Sequence, residues 1–149
     1  MIDKIAEQED FLDSSDFVSF KDFVLRENST VEKNTELVTY FWEKYRNKFL
    51  SLDDRISGLT EFVTITNSNK PISLHRDHKI GGSFWKILIY LNDIEDGGTI
   101  FLLGDEERIV QNKANKLVIF DMDLFHKSQN FKATSTKNKL CIGFRAKSN

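Results

Sequence analysis

Phe84-Trp-Lys-Ile-Leu-Ile-Tyr-Leu-Asn92 is the stretch on which the fold turns. A strand with one wet face alternates apolar and polar residues with period two. Here the middle of the run is apolar on both faces, so it reads as a central strand buried from both sides. Working outward, apolar, β-branched and aromatic residues continue in short runs from about residue 58, separated by turn signals. The spacing predicts strands over roughly 59–66, 71–76, 84–92, 98–103, 107–111, 116–121, 124–130 and 138–146. The breaks between them are Asn67–Lys70, Gly81-Gly82, Asp93–Gly97, Gly104-Asp105, Asn112–Asn115 and Thr134–Asn138. Short strands at that density imply a sandwich or barrel.

Ahead of residue 58 the period is helical. Phe17, Phe20 and Val24 fall at i, i+3 and i+7 behind the candidate caps Asp13, Ser14 and Ser15. Ser29-Thr-Val-Glu32 has the capping-box spacing, which predicts the start of a second helix there. Behind it Leu37, Val38, Phe41, Trp42, Tyr45 and Phe49 form one apolar stripe. Both stripes read as faces that pack on the strands.

Composition bounds the function classes. The 149 residues are 40% hydrophobic and 30% charged, enough for one self-supporting core spanning 1–149. Lys plus Arg is 21 against 23 Asp plus Glu, a net charge of −2. That balance offers no general attraction for phosphate backbones or anionic lipid, and so counts against nucleic acid and membrane surfaces as partners. The single Cys141 excludes an internal disulfide and a cysteine-rich zinc site. No run approaches a membrane span, and the acidic N-terminus is unlike a secretory signal, so a soluble cytoplasmic protein is expected.

Three histidines occur. His75-Arg-Asp77 sets an imidazole and a carboxylate two apart at a strand end, on one face, where both can chelate one ion. His126 follows the apolar strand Leu117–Phe120. In a double-stranded β-helix a far strand folds back beside the first, and His126 then completes a His/Asp/His facial triad suited to non-haem Fe(II). The alternative is a half-buried strand histidine and a turn residue, and the local pattern leaves both open.

The order of the flanking elements is informative. HxD at His75–Asp77 precedes the strand ending in Tyr90-Leu91-Asn92; Gly97-Gly98 then opens the next strand, Thr99-Ile-Phe101. Lys116-Leu-Val-Ile-Phe120 leads to His126, and the last strand opens with Lys139-Leu-Cys-Ile-Gly-Phe-Arg145. This pattern resembles the Fe(II)/2-oxoglutarate-dependent dioxygenases, in particular the prolyl 4-hydroxylase-like branch, over about residues 58–146. The resemblance implies a mainly β fold with N-terminal helices: a double-stranded β-helix (jelly-roll or cupin-like) barrel at 58–146, braced by two helices within 1–57. It implies His75, Asp77 and His126 as iron ligands, with no catalytic group beyond the metal centre. It implies Tyr90 and Lys139 as partners of the distal carboxylate of 2-oxoglutarate, since a dicarboxylate needs a fixed cation at its far end. Arg145 shares a strand face with Lys139, at a basic-x5-basic spacing similar to that of the alkylation-repair demethylases; its other reading is a solvated strand end. Lys137 replaces Lys139 if the register slips by two. Two departures from the pattern are the absent tyrosine ahead of HxD, where Asn67–Ser73 stands, and a longer path from His126 to Lys139.

The implied cofactors are Fe(II), 2-oxoglutarate and O2, with ascorbate as an accessory reductant. The implied reaction is hydroxylation of an unactivated C–H on a prolyl residue in a peptide or protein, or on a small molecule, releasing succinate and CO2. Asp77 favours hydroxylation over halogenation, because halogenating relatives carry a small residue there. The alternatives are a nucleobase demethylase of the same fold and a non-catalytic metal-binding β-barrel module. Of the remaining residues, His78 reads as a contact beside the triad or an exposed turn residue, and Trp85 as core. Asp105–Glu107 reads as a solvated turn and Cys141 as a small inward apolar residue.

Overall fold

The computed structural model of the protein describes residues 2–27, 30–77, 82–129 and 137–148. In chain order its elements begin with β1 (Ile5–Gln8), α1 (Ser14–Arg26), β2 (Val31–Lys33), α2 (Thr35–Leu52) and β3 (Ile56–Ser68). They continue with β4 (Ser83–Tyr90), β5 (Thr99–Leu103), β6 (Glu106–Val110), β7 (Leu117–Asp121), β8 (His126–Ser128) and β9 (Lys139–Ser148). Two antiparallel sheets result, one ordered β1-β7-β4-β9-β3-β2 and the other β6-β5-β8. Among the described residues the sheets do not hydrogen-bond into a closed ring, so the expected barrel is two facing sheets, mainly β, with two helices.

The expected central strand is β4, flanked by β7 and β9 and covered on both faces. Trp85, Ile87 and Ile89 face the helices together with Leu140, Ile142, Phe144 and Ala146 of β9. Phe144 stacks on Phe41 of α2 with ring centroids 4.1 Å apart, and Phe20 of α1 closes on the same ring at 6.4 Å. This aromatic layer is why both helices lie on one side of the large sheet. The opposite face, with Tyr90, Cys141 and Val118, meets Phe101 of the small sheet in a second, smaller cluster.

α1 begins where expected, with the Asp13 carboxylate accepting from Asp16 N at 2.9 Å. The capping box at Ser29–Glu32 is overturned. Ser29 lies outside the described residues, Val31–Lys33 is a strand, and α2 starts at Thr35 with Asn34 accepting from Leu37 N at 3.0 Å. The backbone before Asn34 is claimed by β3, through Ile65 N to Thr30 O and Asn34 N to Glu61 O. A tertiary ladder thus overrides a local capping signal. The strand predicted at 71–76 is also absent apart from one bridge, His75 to His126. Ile72 aligns with Ser128 and His75 with His126, so one extra residue breaks the ladder, as a bulge does. His78 and Gly81 lie outside the described residues. β1 was not anticipated; only four residues long and half polar, it pairs with β7.

Gly98 needs the absence of a side chain, because a Cβ there would run into the Val110 carbonyl oxygen. The Gly97-Gly98 connection is therefore a close approach between strands.

Asp53 ties the N-terminus to the start of β3. Its buried carboxylate accepts from Ile2 N at 2.8 Å and from the Arg55 guanidinium at 2.7 and 2.9 Å. The Arg55 bonds hold its pKa well below the usual carboxylate range, despite burial. A depressed folded pKa stabilises above the unfolded value of about 4, and that stability fades as pH falls from the unfolded value towards the folded one. Asp53→Asn is expected to lose about 1.5–3 kcal/mol at pH 7, and to lose less on acidification than the wild type. Urea midpoints at pH 7 and pH 3 measure both.

Candidate metal centre and its pocket

The broken ladder between residues 72–75 and β8 brings the HxD segment against His126. Backbone bonds in both directions, His75 N to His126 O at 3.0 Å and His126 N to His75 O at 2.8 Å, fix the pair. Each ring is then oriented by its Nδ1, which donates to a carbonyl two residues back: His75 to Ser73 at 2.9 Å and His126 to Leu124 at 3.0 Å. That leaves both Nε2 lone pairs for a ligand, the arrangement that orients imidazoles at metals. They point at Asp77, with Nε2 of His75 3.9 Å from Oδ1 and Nε2 of His126 3.6 Å from Oδ2.

Ligand atoms of the three side chains lie within 4.8 Å of one another. Asp77 Oδ2 is buried and accepts no hydrogen bond. A buried carboxylate oxygen left unpaired is costly, and a divalent cation among three inward donors removes that cost. Burial lowers the pKa of His126, which keeps its imidazole neutral and able to coordinate. The edge of Phe120 packs on His126 at 4.8 Å and Phe101 lies 5.8 Å from it, forming a dry rear wall. The residues fit a metal.

Beside the triad lies a pocket between the two sheets, lined among others by Thr64, Thr66, Lys86, Thr99 and Lys139. Lys139 is buried, and its Nζ lies 5.2 Å from the Tyr90 ring centroid. Tyr90 is fully buried behind Thr99, sharing a 2.6 Å hydrogen bond with the threonine hydroxyl. The pocket wall at that point is thus Thr99, backed by Tyr90. Arg145 is set off from the wall, its guanidinium 5.8 Å from the Phe62 ring and its Nε buried without a partner. Lys137 is exposed ahead of β9. Cys141 lines the pocket, and burial pushes its thiol up to about 11, so it acts as a small apolar residue.

Lys86 was missed. It is 4% exposed, on the pocket face of β4, and its ammonium donates to Thr64 Oγ1 across β9. Burial pulls its pKa down to about 8, against the attraction of Asp77. The signal in the sequence was a charged residue inside a strand apolar on both faces, where no solvent position exists for it.

Comparison with known proteins bears on this geometry. No family model and no curated protein matches the sequence. Solved structures do. A member of the 2OG-Fe(II) oxygenase family from Burkholderia pseudomallei superposes with a TM-score of 0.73 at 7% identity, over 97% of this chain and 84% of that one. The fold is that of the 2-oxoglutarate/Fe(II) oxygenases. A prolyl hydroxylase from Trichoplax adhaerens, in complex with a peptide fragment, matches at TM-score 0.70 and 14% identity, over 97% of this chain and 84% of that one. HygX from Streptomyces hygroscopicus, with nickel and 2-oxoglutarate bound, matches at 0.69 and 13%, over 97% and 82%. The 2-oxoglutarate oxygenase fold extends over nearly the whole chain, helices included. No helix among the described residues is long and apolar enough to cross a membrane.

Proposed function

We propose that the chain is a single-domain Fe(II)- and 2-oxoglutarate-dependent dioxygenase that hydroxylates an unactivated C–H bond, in a prolyl residue of a peptide or in a small molecule. The observation that carries this reading is the inward-facing His75/Asp77/His126 triad, with its unpaired Asp77 oxygen, beside a pocket holding a buried lysine. Bound Fe(II), 2-oxoglutarate and O2 would supply the oxidant, with succinate and CO2 as co-products and ascorbate maintaining the reduced metal.

The chain's own residues have separable tasks. The Ser73 and Leu124 carbonyls hold the two imidazoles in the tautomer that leaves Nε2 free. Lys139 offers its ammonium to the distal carboxylate of 2-oxoglutarate, and Tyr90, through Thr99, sets the wall beside it. Phe101 and Phe120 keep water from behind His126. Ile72, half-exposed and lining the pocket beside the triad, gives its mouth an apolar contact suited to an apolar substrate segment. A purely metal-binding module is disfavoured, because a bare metal site has no use for an ammonium buried in the adjoining pocket.

Anaerobic titration of the purified protein with Fe(II) and 2-oxoglutarate tests the reading. A weak visible charge-transfer band is expected, lost in His126→Ala and appearing only at about ten- to hundredfold higher 2-oxoglutarate in Lys139→Ala. The absence of a band in the wild type at any metal loading overturns the enzyme assignment.

A further inference from the structure

The pocket holds two buried ammonium groups, and a single distal carboxylate needs one. Among the described residues neither Lys86 nor Lys139 forms an ion pair. Burying a cation without an anion is unfavourable, so the pair calls for a ligand carrying two negative charges or for two ligands.

Register decides between these. β4, β9 and β3 are neighbours in that order, and Lys86 starts on β4. Its stem crosses β9 at Gly143, where a Cβ would stand 3.1 Å from both its Cε and its Nζ. Its ammonium ends at Thr64 of β3, the register partner of Gly143. The Lys139 ammonium lies over Tyr90, the register partner of Cys141. The two heads thus sit two residues apart along the strands, about 7 Å, and one to two strand spacings apart across them, which together make about 9–12 Å. The terminal carbons of an extended five-carbon diacid are about 5 Å apart, from C–C bonds of about 1.5 Å. A charge-assisted hydrogen bond of about 2.8 Å at each end extends the reach to about 11 Å, which fits one such molecule. Lys86 is at the triad end: it pairs in register with Phe120 of β7, whose ring packs on His126 at 4.8 Å.

We infer that Lys86 is a second anchor for the co-substrate: Lys139 takes the distal carboxylate, and Lys86, laid across Gly143, takes the carboxylate beside the triad. This inference rests on the dioxygenase reading for the identity of the diacid, but the clamp itself needs no metal. Lys86 thereby aligns the keto acid before the metal engages it, and the pocket selects a dianion over a monoanion.

The test uses glutarate, a five-carbon diacid with no keto group to chelate a metal, titrated calorimetrically into the metal-free protein. Butyrate is the monoanion control. Lys86→Met and Lys139→Met are each expected to weaken glutarate about ten- to hundredfold, and to bring its affinity down towards that of butyrate. Gly143→Ala is the second variant: it keeps the charge but displaces the ammonium, and is expected to weaken glutarate with Lys139 intact. Thermal melts establish that each variant is folded. Unchanged glutarate affinity in folded Lys86→Met, or no glutarate binding by the wild type, overturns the clamp. A charge-transfer band without lysine-dependent glutarate binding removes this inference alone. Lysine-dependent glutarate binding without any band removes the enzyme reading and leaves the clamp standing.

Discussion

Asp77→Asn is expected to lower the affinity of the triad for a divalent metal by at least about 100-fold and to take 2-oxoglutarate turnover to background. Loss of an outer group that merely orients a ligand costs about 10–100-fold, and this substitution removes the only charged ligand of the three. The same substitution is expected to leave the metal-free protein as stable as the wild type or more so. Asp77 Oδ2 is buried and unpaired, so the wild-type carboxylate is held at a cost that a neutral amide does not incur. The two effects have opposite signs, which separates a ligand from a structural carboxylate such as Asp53, whose loss only destabilises. Thermal melts with and without metal read both. At a hundredfold excess over the wild-type dissociation constant, metal should add about 2.7 kcal/mol to the wild type and about 0.4 kcal/mol or less to the variant. A variant that is destabilised without metal and stabilised by it as much as the wild type would remove Asp77 from the metal site.

That signature bears on what was legible in the sequence. The run at 84–92 declared its own burial, and β4 is the central strand it described. His75, Asp77 and His126 were recognisable because their spacing and order survive as a pattern, and the fold brings them together. What was not legible depends on partners far away in the chain. Lys86 reads locally as a polar interruption; its meaning comes from Gly143 and Thr64, on two other strands. Thr99 looked like the first residue of a strand, and only the fold puts its hydroxyl between Tyr90 and the pocket. The capping box at Ser29–Glu32 misled because Val31 and Glu32 within it belong to an edge strand, and pairing with β3 outweighs the cap. β1 carries too few apolar residues to announce itself and is defined by β7.

Phe144→Ala is expected to cost about 3–5 kcal/mol, the range for removing a buried phenylalanine. Whole-domain stabilities are only about 5–15 kcal/mol, so the variant should be marginal, with a Tm lower by about 6–20 °C for a chain of this size. Phe144 is fully buried at the point where both helices meet the large sheet. It stacks on Phe41, is closed by Phe20, and pairs in register with Ile87 of β4 and Val63 of β3. The hole cannot collapse readily, because neighbours on three elements would have to move together. Phe144→Leu keeps most of the volume and should lose less than half as much. β9 also has two faces. Phe144 is held by the helices, while on the other side Lys139 and Cys141 line the pocket and Gly143 lets the Lys86 stem pass. A variant folded at low temperature should therefore bind 2-oxoglutarate more weakly than the wild type although no pocket residue has changed, because the strand that fixes the register of Lys139 against the Lys86 crossing has lost its support. Equal affinity at about 10 °C alongside a large drop in Tm would show that β9 keeps its position through pairing with β3 and β4 alone.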